Sequence, residues 1–279
     1  MRCASALILL LGLLGFASGA AAQTGAIEFT ARVAPTVGNA EPARKIPFYL
    51  LRKSFADIQK EADEAEPKPD LDRFIDGLDV SKELKAWMKR TRVVQLQSAE
   101  LTRKLAPEDV FTVQEFFDAY FTRNAGDETS GFPAPKYKES EKKSNPQRYE
   151  RQFKEYREQV RRFLDANPQS LNGIELELAD IDPGRKWLRQ EAERRQRVRL
   201  HALNLAETRY QVTKTQTDLN GRGGFTNVPP GEYWLSTLEV EAIAGDSRVR
   251  WDAPVMVRAD ETSRIDLWNG NAVPAKSAR

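Results

Sequence analysis

The chain has 279 residues, with 43 Lys plus Arg against 41 Asp plus Glu, one His, one Cys and a formal net charge of +2. That balance excludes a strongly basic nucleic-acid binder and gives no electrostatic reason to bind an anionic membrane. The single Cys excludes a disulfide framework and a Cys-rich metal site, and the single His excludes a multi-His zinc site. Residues 1–22 carry a secretory pattern: Arg2, an apolar stretch from Ala6 to Phe16, and the small residues Ala20, Ala21 and Ala22 at a cleavage site. The stretch is short for a bilayer span, and no second run of membrane length follows, so the mature chain is expected to have no transmembrane segment. The alternative is an uncleaved N-terminal anchor. The expected product is an exported protein, periplasmic or extracellular, that loses Cys3 with its leader and needs no oxidation to fold.

Residues 24–53 predict two strands. Ile27, Phe29, Ala31 and Val33 alternate with Glu28, Thr30 and Arg32, the period of a half-buried strand. Ile46 to Leu51 is apolar on both faces, and Pro47 places it at an edge or at a strand start.

Residues 54–208 read as helical and highly charged. Short helices are expected around Leu71, Phe74, Ile75 and Leu78 and around Leu84, Trp87 and Met88. Val113, Phe116, Phe117, Tyr120 and Phe121 form one helical stripe, with Thr112 and Glu115 as a candidate capping box and Gly126 beyond its end. From Pro146 to Ala166, Tyr149, Phe153, Tyr156, Val160 and Phe163 make a narrow coiled-coil-like seam. Ile174, Leu176 and Leu178 alternate with Glu175 and Glu177, which leaves strand and helix both open. Asp182 and Pro183 predict the cap and first turn of a helix reaching about Glu207.

Residues 209–271 return to strands: Tyr210 to Thr217, Phe225 to Asn227, Glu232 to Ala242, Arg248 to Val257 and Ser263 to Asn269. Residues 272–279 are expected to be a disordered tail. Two N-terminal and five C-terminal strands make seven, enough for an antiparallel β-sandwich, with the helical block as an insertion forming a hairpin or bundle. A separate helical domain followed by a five-stranded domain is the competing arrangement. The insertion is preferred because a lone N-terminal hairpin would be marginal in water.

Thr217-Asp218-Leu219-Asn220-Gly221, then Gly224-Phe225, then Val228-Pro229-Pro230-Gly231-Glu232-Tyr233 resemble the carboxypeptidase regulatory-like domain family. These are transthyretin-like sandwiches, similar to the B-repeats of surface adhesins. Asn269 fits the family's last strand, and Gly25-Ala26-Ile27 with Ile46 to Leu51 fit its first two. The resemblance covers the strand blocks only and implies a fold rather than an activity. Residues 26–34 hold no Lys, so the Lys–Asn isopeptide bond of some adhesin members is not expected. The His residues of the transthyretin-fold urate-pathway hydrolases, and the two His ligands of a zinc carboxypeptidase, are missing as well.

No catalytic residue, cofactor or metal ligand is assigned. His201 lacks a suggested nucleophile partner and reads as an ordinary helix histidine. Asp218 and Asn220 fail the calcium-loop spacing and read as a turn. Acidic pairs such as Asp63 with Glu64 and Asp70 with Asp72 read as solvated faces. Charge segregation says more. Residues 56–83 hold ten acids and four bases, residues 136–163 ten bases and five acids, and residues 183–202 seven bases and two acids. One reading is mutual neutralisation of the acidic and basic helices. The other is a basic surface for an acidic partner or an anionic glycan, with Arg185, Arg189, Arg194, Arg195, Arg197 and Arg199 as candidate partner-binding residues. Trp234, Trp251 and Trp268 are candidate glycan-stacking residues, although the helical block is expected to cover a second apolar sheet face. The preferred function is a non-enzymatic exported scaffold, its helices binding an envelope or extracellular protein or a second copy of the chain. The alternative is a polysaccharide-binding accessory module using the tryptophans.

Overall fold

A computed structural model describes residues 23–125 and 131–273. The expected leader and Gly126 lie outside them. The chain divides into two compact units, Met1–Ala62 with Leu200–Arg279, and Asp63–Arg199. The fold is mixed α+β.

The first unit holds the strands β1 (Gly25–Val33), β2 (Glu41–Pro42), β3 (Pro47–Leu51), β4 (Gln211–Gln216), β5 (Arg222–Val228), β6 (Gly231–Ser236), β7 (Ala242–Ala244), β8 (Ser247–Val249), β9 (Asp252–Val257) and β10 (Thr262–Leu267). In one sheet β1 lies between β10 and β5 and also pairs with β2; the other runs β4-β3-β6-β9, and β7 and β8 form a separate hairpin. The alternation in β1 works as the sequence implies: Ile27, Phe29, Ala31 and Val33 are buried, Glu28 and Arg32 exposed. The two sheets share one core. Phe29 and Phe225 of the first meet Phe48, Leu50 and Leu235 of the second, with ring centroids of Phe29 and Phe48 4.6 Å apart. Pro47 opens β3, which is an inner strand.

Three expectations are corrected. β1 and β10 run parallel, Phe29 opposite Ile265, while the other strand pairings are antiparallel. Parallel neighbours need a long crossover, and the chain between the first and last strands supplies it. The strands expected at Glu232 to Ala242 and Arg248 to Val257 each break in two. Leu238 sits at φ 52°, and the buried Thr237 exchanges its amide and hydroxyl with the Trp251 carbonyl and amide. These bonds turn the backbone where propensity alone favours extension. Finally, Val273, expected in the tail, donates its amide to the Arg250 carbonyl at 2.8 Å.

The turn residues act through backbone chemistry. The buried Thr217 hydroxyl donates to the Ala43 carbonyl at 2.6 Å and accepts the Ile46 amide at 2.9 Å. Asp218 accepts the amides of Arg222 and Asn220, which hold its carboxyl below the ordinary range. Gly221 lies at φ +74°, where an added Cβ would stand 2.4 Å from the Ala31 carbonyl oxygen. The Tyr233 hydroxyl donates to the Pro229 carbonyl at 3.0 Å and ties the proline turn to β6.

The helix α1 (Phe55–Ala65) begins with a reciprocal cap, Ser54 Oγ donating to Asp57 at 2.6 Å and accepting its amide at 3.0 Å. Asp252 of β9 accepts the Ala56 amide at 3.2 Å. Burial pushes the Asp252 carboxyl above the ordinary range, outweighing the amides of Phe55 and Ala56 and the Ser236 hydroxyl, which pull it down. The folded state therefore holds this proton over a pH window in which the unfolded chain has lost it. The site favours folding below the ordinary value and loses that contribution as pH rises through the raised one. Asp252→Asn keeps an oxygen for the amide and removes the titration. Its stability relative to wild type is expected to be higher at about pH 8 than at about pH 4. Urea titrations at both pH values check this; an equal difference at both would count against it.

The second unit holds α2 (Leu71–Asp76), α3 (Lys82–Thr91), α4 (Ala99–Lys104), α5 (Pro107–Thr112), α6 (Gln114–Asn124), α7 (Glu141–Ser144), α8 (Pro146–Ala166) and much of α9 (Gly184–Leu205). Its core joins Trp87 and Met88 of α3, Phe116 and Tyr120 of α6, Tyr156, Val160 and Leu164 of α8, and Ile174 and Leu178. The Trp87 ring meets Phe116 edge-on at 4.9 Å and donates Nε1–H to Asp109 at 2.9 Å. The α6 stripe is where the sequence implies, but the capping box is not. The Glu115 carboxylate instead accepts the amide and hydroxyl of Ser81, each at 2.7 Å, at the start of α3. Thirty-four residues separate that pair, so local spacing carries no sign of it. Ile174–Ile181 is a 3-10 helix, with Ile174 and Leu178 inward and Leu176 exposed. Asp182 accepts the Gly184 amide at 2.9 Å at the start of α9 and the Leu96 amide at 2.8 Å.

Candidate partner-binding surface

The six arginines singled out on α9 separate into two groups. Arg194 is inward, its side chain 12% exposed. It donates to the carbonyls of Asp63 and Glu66 at 2.8 and 3.1 Å and pairs with the Asp63 carboxylate at 2.8 Å. Those carbonyls lie at the C-terminal end of α1, so Arg194 satisfies orphan acceptors and meets the negative end of the helix dipole. Arg197 pairs with Glu66 at 3.4 Å. Arg185, Arg189, Arg195 and Arg199 are exposed. Arg194 is therefore corrected from a partner-binding residue to a structural one.

The same pattern settles much of the acidic stretch. Asp72 pairs with Arg92, Asp76 with Lys89, Asp63 with Arg194 and Glu66 with Arg197. Glu61 pairs with Lys53 and Arg209, so neutralisation falls on α3 with its C-cap, on α9 and on these two flanking cations. It does not reach α8, where Arg148 pairs with Glu141 near the helix start and, among the described residues, Lys154, Arg157 and Arg161 have no ion-pair partner.

These three cations stand at helical spacing with Glu158 and line a groove of about 590 Å³ together with Phe153 and with Phe111 of α5. The spacing puts them on one stripe of α8 beside its buried face, where the expected seam is corrected in part: Tyr149, Tyr156 and Val160 are buried, Phe153 and Phe163 only half-buried, and Leu164 is buried with them. The Arg157 guanidinium lies 5.0 Å from the Phe117 ring and 5.8 Å from the Phe153 ring, and it donates to the Phe111 carbonyl. Arg161 stacks over Phe111 at 4.7 Å. Partial burial, reinforced by the like charge of Arg161, pulls the Arg157 pKa below its ordinary value. The arrangement presents fixed guanidinium groups between aromatic walls, suited to hydrogen-bonding a carboxylate or another oxyanion.

The tryptophans do not form a set. Trp251 is fully buried in the shared core and donates Nε1–H to the Trp268 carbonyl at 3.1 Å. Trp234 is half-buried opposite Pro254, and Trp268 is 60% exposed with its ring held against Gly270. Trp251 is thereby corrected from a glycan-stacking residue to a core residue, because a buried ring offers no face to a sugar. His201 is half-buried on α9. Among the described residues no group of His, Cys, Asp and Glu converges as metal ligands, and no helix is long and apolar enough to cross a membrane.

Set against protein-family models, curated proteins and solved structures, the chain has no match. The groove residues Phe111, Phe153, Lys154, Arg157 and Arg161 were missed as a group in the sequence. The basic run at 136–163 was the available signal; the contribution of Phe111 from another helix had none.

Proposed function

We propose that the protein is a non-enzymatic exported scaffold whose helical unit docks an envelope or extracellular protein. The base would be a transthyretin-like sandwich of seven strands, β1, β3, β4, β5, β6, β9 and β10, as the turn residues from Thr217 to Tyr233 imply. Export rests on the leader pattern of residues 1–22. One observation carries the docking surface: among the described residues Lys154, Arg157 and Arg161 of α8 have no ion-pair partner and lie beside aromatic rings, whereas Lys53, Lys89, Arg92, Arg194, Arg197 and Arg209 supply counter-ions to the acidic stretch. Three cations against the single carboxylate of Glu158 leave the groove net positive, which favours an acidic partner.

The test is crosslinking of the tagged mature protein in its own cell envelope. It compares wild type with a variant reversing Lys154 and Arg161 to Glu, and with one reversing Arg185, Arg189 and Arg195. A defined protein held by wild type and the α9 variant but lost from the α8 variant is expected. Recovery of glycan without protein, or the same proteins from all three, would reject the reading.

A further inference from the structure

The α5–α8 groove is specific about its occupant. Its two walls are aromatic, Phe111 and Phe153, both half-buried, so part of each ring reaches the lining although Arg161 lies over Phe111 and Tyr149 stacks on Phe153. Its cations are held in place before any ligand arrives, Arg157 by the Phe111 carbonyl and two rings, Arg161 by the Phe111 ring. Fixing a guanidinium in advance lowers the entropy lost when it binds a carboxylate. Arg157 and Arg161 also repel one another, and an anion between them relieves that repulsion. Glu158 lies in the same lining. A uniformly charged polyanion would meet its carboxylate unfavourably, whereas a peptide brings amide N–H groups that the carboxylate accepts. A volume of about 590 Å³ suits a few side chains rather than a long polymer track.

We infer that this groove is a receptor for an acidic peptide segment, its carboxylates on Lys154, Arg157 and Arg161 and an apolar side chain against Phe111 and Phe153. The inference rests on the scaffold reading and narrows it to a linear, carboxylate-bearing motif in the partner. Arg157 and Arg161 form the specific part of the site; Lys154 adds long-range attraction.

The test uses the full mature chain and a short fluorescein-labelled peptide alternating Glu and Phe, followed by anisotropy. A peptide with Gln for Glu is the charge control, and heparin and inorganic phosphate are competitors. The Glu–Phe peptide is expected to bind and the Gln–Phe peptide to bind at least about tenfold more weakly. Lys154→Glu with Arg161→Glu, both at exposed positions, is expected to weaken binding by about a hundredfold with an unchanged thermal melt. Arg157→Lys, which keeps the charge but not the stacked fork, is expected to weaken it about tenfold. No binding of the Glu–Phe peptide overturns the inference, as does equal binding of the two peptides or equal binding by the reversed variant. Heparin or phosphate binding that depends on Arg161 while the peptide stays unbound reassigns the groove to polyanions or free anions, and also overturns it. Peptide failure with site-dependent protein capture retained overturns this inference alone; absence of any crosslinked protein overturns the scaffold reading, whatever the peptide does.

Discussion

Trp251→Ala is expected to destabilise the first unit by about 4 kcal/mol, whereas Trp268→Ala is expected to cost less than about 1 kcal/mol. Trp251 is fully buried, stacks on Phe48 at 5.8 Å, and lies where the backbone exchanges hydrogen bonds with Thr237. Removing it opens a cavity between two sheets pinned by their own ladders, which limits collapse. It also removes the Nε1–H donor from the Trp268 carbonyl. Trp268 is 60% exposed, and the group it gives that bond is its backbone oxygen, which Ala retains. Urea unfolding followed by far-ultraviolet circular dichroism measures both changes. Equal losses would contradict the placement of the two rings.

Arg194→Glu is expected to cost about 3 kcal/mol, and the same reversal at Arg195 less than about 0.5 kcal/mol. Arg194 is shielded and satisfies two carbonyls at the α1 C-terminus besides pairing with Asp63. Reversal sets a carboxylate against another carboxylate and against the negative helix end, and strips the carbonyls of their donor. Asp63 is half-exposed, and solvent screening there keeps the cost near the lower end for a broken buried pair. Arg195 points to solvent. Urea unfolding of both single variants checks the contrast; a similar midpoint for the two would reject the capping role of Arg194.

Much of the secondary structure was legible because it is local. The alternation in Ile27 to Val33 and the stripe in Val113 to Phe121 follow from the period of their own element, and the cap at Asp182 from an Asp placed just before Pro183. The failures were equally consistent in kind. Glu115 caps a helix beginning near Ser81, and Thr237 binds the backbone at Trp251. Neither partner lies within the window that a periodicity argument inspects. The candidate site was half legible: the excess charge of residues 136–163 was visible, but composition also drew attention to α9, where Arg194 and Arg197 are engaged by Asp63 and Glu66.

The sequence by itself determined the mixed α+β class, the positions of the main strands and helices, and the segregation of acidic and basic helices. Those properties depend on side-chain period and charge along a single stretch of chain. Only the tertiary structure decided which residues of each type are spent on holding it together. It turned Trp251 inward and left Trp268 out, and it gave Arg194 to the end of α1 while leaving Arg195 in solvent. It brought Phe111 beside Arg157 and Arg161. Burial and counter-ions come from residues distant in the chain, so like residues acquire opposite roles only once the chain has folded.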